Sequence, residues 1–204
     1  MRIASSIAFA STIALILAAA CSPSPAPASD APASVEPEPL DPAAPAAEQA
    51  ALSGCGAVTA EGYCGVTFGM APGDAAKKFP VKLDIYSGGD PASQNDKNRC
   101  YEMFATAPVQ GVSFLVEMNR VGRLDLLSEG ARTAEGFGVG TSADDIRARF
   151  GSAVTEHPNK YESEIVELEV PQGAAKFVFE IQDGKVRAWR AGTMPTIDYV
   201  EHCG

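Results

Sequence analysis

The chain has 204 residues, a formal net charge of −10 and two histidines. So large an acidic excess argues against a nucleic-acid partner and against attraction to anionic headgroups. Two histidines are too few for a usual zinc site, and the cysteine spacings are not those of one. Residues 1–20 divide like a secretory signal, with Arg2, then an apolar run from Ile3 to Leu17, then Ala18-Ala19-Ala20. The run is short and dotted with hydroxyls, so it does not read as a membrane span.

Cys21 follows those small residues directly. Leu17-Ala18-Ala19-Ala20-Cys21 resembles the lipobox of a bacterial lipoprotein, with Ala18 where the family usually has a larger aliphatic residue. The resemblance implies cleavage before Cys21 and a lipid thioether on its thiol. It also implies membrane attachment in the bacterial cell envelope, with Ser22 favouring the outer membrane and a domain facing the periplasm. Two or three acyl chains would hold such a protein firmly, since each buried methylene contributes about 0.8 kcal/mol.

Residues 22–53 hold many Ala, Pro and Ser residues, five acids and no basic or aromatic residue. Such a segment cannot offset its ordering entropy by burial. Residues 21–53 therefore read as a lipidated Cys and a disordered tether, and 54–204 as one globular domain. An exported domain with Cys55, Cys64, Cys100 and Cys203 is expected to form two disulfides. Three pairings are possible. Cys55 and Cys64 suit a short glycine-flanked loop, which leaves Cys100 with Cys203.

The domain reads as α+β: two tandem units of short strand, helix and antiparallel strands sharing one core, over about 65–127 and 136–190. Phe68 to Pro80 aligns without gaps on Val139 to Gly151, and Gly65 aligns on Gly136. In each copy a strand reaches a glycine. Pro72 or Ser142 then starts a helix with acids in its first turn and bases in its last. Ala75, Ala76 and Phe79 in one copy, and Ile146 and Phe150 in the other, are expected to face a sheet. Further strands are expected over 81–86, 101–105, 153–157 and 165–170. Phe114/Val116/Met118 and Phe177/Phe179/Ile181 alternate with period two, and Asp183-Gly184 signals a hairpin.

The strings 132–140, His157-Pro158-Asn159-Lys160-Tyr161, and Arg190-Ala191-Gly192 with 199–203 resemble an uncharacterised family of bacterial envelope proteins. The resemblance covers roughly residues 65–204. It implies a Cys at each of positions 100 and 203, in keeping with their pairing, and no assigned activity. The glycine-pair, helix, sheet unit is also distantly similar to small outer-membrane assembly lipoproteins, which implies a protein-contacting surface.

No catalytic set emerges. No G-x-S-x-G surrounds a serine, no H-E-x-x-H occurs, and no cysteine is expected to be free. Glu162, Glu164, Glu167 and Glu169 read as a solvated strand face, and Asp144-Asp145 as a helix start. Trp189 reads as core; exposed beside Arg132 and His157, it would mark a ligand platform instead. A buried, bonded His157 and Glu135 would mark an enzyme. Arg132, Glu135, His157, Lys160, Tyr161, Arg190 and Glu201 form a candidate interaction surface, if the two units bring them to one groove. The expectation is a non-enzymatic interaction or scaffold module needing no cofactor and no metal, anchored to the membrane through Cys21, with an unidentified envelope protein as partner. The alternative is a module binding a periplasmic saccharide, peptidoglycan fragment or small ligand.

Overall fold

The computed structural model describes residues 44–86 and 100–203. The signal-like residues 1–20, Cys21 and the Pro-rich stretch to residue 43 lie outside the described residues, as do 87–99.

Ala44–Leu52 forms helix α1. This corrects the expectation that disorder runs to residue 53. After Pro45 this segment has no proline, and alanine is the best helix former. Tertiary contacts then hold it: Leu52 is buried in the core, and the Ser128 hydroxyl donates to Glu48. A small hairpin follows, β1 (Gly62–Tyr63) and β2 (Val66–Thr67), beside the Cys55–Cys64 disulfide.

Helix α2 (Pro72–Lys78) precedes β3 (Leu83–Tyr86), β4 (Tyr101–Ala105), β5 (Val112–Glu117) and β6 (Arg120–Leu126). Helix α3 (Ala143–Phe150) precedes β7 (Thr155–Pro158), β8 (Val166–Gln172), β9 (Ala175–Gln182) and β10 (Lys185–Thr193). The eight strands β3–β10 make one antiparallel sheet in the order β3-β4-β5-β6-β10-β9-β8-β7. Strands β6 and β10 therefore pair at its centre, with Trp189 opposite Leu126 and Arg190 opposite Asp125.

The two helix starts are built alike. Gly69 and Gly140 have φ of +84° and +85°, a conformation open to glycine. Gly69 N–H donates to the Val121 carbonyl, and Val121 N–H to Met70. In the second case Gly140 N–H donates to Val186, and Val186 N–H to Thr141. Ser142 caps α3 by accepting from Asp144 N–H, whereas Ala71 has no side-chain cap and relies on Pro72 at the helix start. The turns closing β5–β6 and β9–β10 are also alike. Met118 and Asn119, then Asp183 and Gly184, all have positive φ, which suits the strand twist.

One hydrophobic cluster lies on the helix side of the sheet. Ala75, Phe79 and Ile146 from the helices meet Phe114, Leu124, Phe179 and Trp189 from the strands. Trp189 stacks on Phe179 with centroids 5.3 Å apart and meets Phe177 edge-on. Ala76, expected to face the sheet, is exposed; α2 is two turns long and turns only Ala75 and the following Phe79 inward. Leu115 and Val178, at alternate strand positions, and Ile165 and Ile197, outside the strands, are buried apart from this cluster.

Candidate functional site

Among the described residues, four strand positions carry charge into the interior: Arg123 and Asp125 on β6, Glu167 on β8 and Arg190 on β10. Side chains at i and i+2 share a face, so Arg123 and Asp125 lie together, and Arg123 Nε donates to Asp125 at 2.8 Å. On the neighbouring strands Glu167 and Glu180 stand directly opposite each other. Two facing carboxylates repel. Arg190 stands between them, donating from Nη2 to Glu167 at 2.8 Å and from Nη1 to Glu180 at 3.1 Å.

The C-terminal residues 194–203 lie over this charged face as a strap. A 3-10 turn over Thr196–Asp198 buries Thr196 and Ile197. The strap's carbonyls meet the two buried arginines: Arg123 Nη1 donates to Thr196 and Tyr199, and Arg190 Nε donates to Ile197. Gly122 makes this closeness possible, since a Cβ there would lie 2.4 Å from Thr196 Oγ1. Lys176 pairs with Asp198, and the Tyr199 phenol donates to Glu117 at 3.0 Å. The Cys100–Cys203 disulfide, with Cα atoms 5.4 Å apart, ties down the end.

Lys176 also donates to Glu169 at 2.7 Å, and His157 Nε2 donates to the same carboxylate at 2.8 Å. Burial alone would raise the pKa of Glu169; the Lys176 and His157 bonds outweigh it and hold it below the ordinary carboxylate value. Burial would lower that of Lys176, and its bonds to Asp198 and Glu169 raise it instead.

Among the described residues, two groups could ligate a metal by residue type, Glu102/Asp125/His202 and His157/Glu167/Glu169. Each already contains a protein cation. Arg123 bonds Asp125 and, through Nη2, His202 at 3.3 Å; Arg190 and Lys176 bond Glu167 and Glu169. A metal ion would have to displace or sit beside a bound cation, so neither donor set suits one.

The seven candidate surface residues do not share one groove. Arg132 bonds the carbonyls of Gly136 and Val139, and Glu135 pairs with Arg149 at 3.3 Å, bracing the turn before α3. His157 belongs to the charged network and does not meet Glu135. Arg190 is 8% exposed, which corrects its placement on an interaction surface; a central strand paired on both sides and covered by the strap cannot present it. Glu167 is likewise buried and not part of a solvated face, because Arg190 compensates its charge. Glu162 pairs with Arg187 at 2.7 Å.

Lys160, Tyr161 and Glu201 do come together. The Tyr161 phenol donates to Glu201, and Lys160 Nζ lies 5.0 Å from the Tyr161 ring centroid. They border an open pocket of about 350 Å³ also lined by Tyr199, Glu117 and the Cys100–Cys203 disulfide. Trp189 is core and offers no platform. The residues missed in the sequence are Arg123, Asp125, Lys176, Glu180, Tyr199 and Glu117. A signal for the first two was present, since charges at i and i+2 interrupt the apolar run Val121-Leu124-Leu126.

The described domain is thus an α+β protein: a single large antiparallel sheet with helices on one face and its own C-terminus closing the other. No protein-family model and no curated protein matches the chain. Among solved structures it is similar to the uncharacterised protein YfeY of Escherichia coli, at 12% identity and TM-score 0.47, over 67% of this chain and 99% of that one. It is also similar to YjgB, a DUF4309 family protein of Bacillus subtilis, at 10% identity and TM-score 0.39, over 63% and 82%. Both are bacterial proteins of unassigned activity.

Proposed function

We propose that this is a lipid-anchored envelope protein, held at the outer membrane through Cys21 and facing the periplasm, with a non-enzymatic interaction or scaffold role. The observation that carries the reading is how its titratable groups are spent. Arg123, Arg190, Lys176, Asp125, Glu167 and Glu169 bond one another or the strap, under cover, and so serve to close the fold. A catalytic set needs groups converging on an open space where a reacting atom can sit. The two disulfides support an oxidising compartment. The exposed apolar side chains Leu127 and Met118 are the first places to seek a protein contact.

The test has two arms. Cys21→Ala should leave the protein soluble or unprocessed, and full membrane retention of that variant would refute the anchor. Photo-crosslinkers at positions 118 and 127, in cells, should capture one reproducible envelope protein, with capture lost when the other position carries Glu. Capture of nothing but bulk abundant proteins from both positions would end the scaffold reading.

A further inference from the structure

We propose that the pocket between Tyr161 and Tyr199 is a saccharide-binding site, independent of any protein partner. Tyr161 is 57% exposed and is the one aromatic among the large exposed apolar side chains of the described residues. A ring left in water is usually free to move, but this one is held at two points: its phenol donates to Glu201, and Lys160 rests on its ring. The Tyr161 backbone N–H donates to Asn159 Oδ1 at 2.9 Å and fixes the main chain beneath it. A rigid exposed ring is pre-organised to take a flat partner at little entropic cost. Val200, 41% exposed, extends the apolar surface beside it.

The polar groups of the pocket select the chemistry of that partner. Glu201 and Glu117 each accept from a tyrosine and keep further lone pairs free. Lys160 supplies donors. Acceptors therefore predominate, and the ligand must bring donors of its own. With two carboxylates to one ammonium, in a chain of net charge −10, an anion is disfavoured. An organic cation drawn to the Tyr161 ring would meet the like charge of the Lys160 ammonium, 5.0 Å from the ring centroid, a repulsion that a neutral ligand does not meet. A wholly apolar ligand would strand both carboxylates without water. Sugars meet each demand: vicinal hydroxyls donate to carboxylates, and the C–H face of a pyranose lies on an aromatic ring. The volume, about 350 Å³, is at the small end of ligand sites, enough for one or two sugar units. The walls come from the β7–β8 loop, the strap and the β4 and β5 ends, so the site exists only once the C-terminus is in place.

The test is isothermal titration calorimetry on the full chain in detergent micelles, with chitotetraose and cellotetraose as probes. At least one should bind saturably, with hydrogen-exchange protection confined to residues 159–162 and 199–203. Tyr161→Ala should weaken binding about tenfold or more, by loss of an aromatic anchor. Tyr161→Phe, which keeps the ring, should retain most of the affinity, and Met118→Ser all of it. Unchanged circular dichroism shows that each variant is folded. Absence of saturable binding by both tetrasaccharides overturns the proposal, as does binding that Tyr161→Ala leaves unaltered. Neither outcome bears on the crosslinking at positions 118 and 127.

Discussion

Replacing Arg190 by Met tests whether the charged face is a solvated surface or an interior. Arg190 is 8% exposed and gives up three bonds: to Glu167, to Glu180 and to the Ile197 carbonyl. Methionine fills much of the stem's volume, so the lost interactions dominate. Glu180 keeps Arg187 at 3.2 Å, but Glu167, with 5% of its side chain exposed, is left chiefly with Asn159 at 2.8 Å. Breaking a buried pair from one side costs about 3–5 kcal/mol, because an uncompensated charge remains inside. That is a large share of the roughly 5–15 kcal/mol of a typical domain. Equilibrium urea unfolding at neutral pH should show this loss as a lower midpoint with an unchanged slope. Hydrogen exchange should rise across residues 196–199, which lose an anchor. Adding Glu167→Leu removes the stranded charge and should restore a large part of the stability. A loss below about 1 kcal/mol for Arg190→Met, the size of an exposed pair, would refute the interior reading.

Other expectations follow from the same face. Gly122→Ala places a Cβ 2.4 Å from Thr196 Oγ1 and 2.8 Å from its Cγ2, so it should displace the strap and destabilise by about 1–3 kcal/mol, seen in thermal unfolding. Non-reducing peptide mapping should link Cys100 to Cys203, and Cys203→Ser should cost roughly 3–5 kcal/mol for a loop of separation 103; a Cys55–Cys100 link would overturn the pairing. Burial, with the Glu48 charge adding to it, pushes the Tyr63 phenol up to about 12. The unfolded chain ionises first, so stability should fall as pH rises from 10 to about 12, by up to about 1.4 kcal/mol per unit. The depressed pKa of Glu169 acts at the other limb: its contribution, present above the ordinary value of 4.5, is lost as pH falls through the lower folded-state value. Unfolding free energies flat across both limbs would contradict these assignments.

Much of the fold was legible in the chain because it is encoded locally. Period-two alternation in 112–118 and 176–181 located the hairpin strands, though Met118, expected to share a face with Phe114 and Val116, falls in the turn and is exposed; Asp183-Gly184 marked the second turn, since only certain residues take positive φ. The dipole-ordered charges of 74–78 and 144–149 marked the two short helices. The boundary at residue 53 was misplaced, because composition there is uniform while the helical order of 44–52 depends on Leu52 and Glu48 meeting distant residues.

The sequence by itself determined the elements from α2 onward in outline, the oxidised cysteines and the core identity of Trp189, because each rests on periodicity, spacing or residue type. What it left open was the second face of the sheet. Alternation places Glu167, Arg190, Arg123 and Asp125 away from the helices, and residues so placed ordinarily meet water. Here residues 194–203 cover them, and a charge's cost depends on what lies above it. That cover is a non-local fact, set by the disulfide at Cys203 and by Arg123 bonding carbonyls 73 and 76 residues away in sequence. The same strap brings Tyr199 and Glu201 across to Tyr161 and Glu117, so the pocket, too, was decided only in three dimensions.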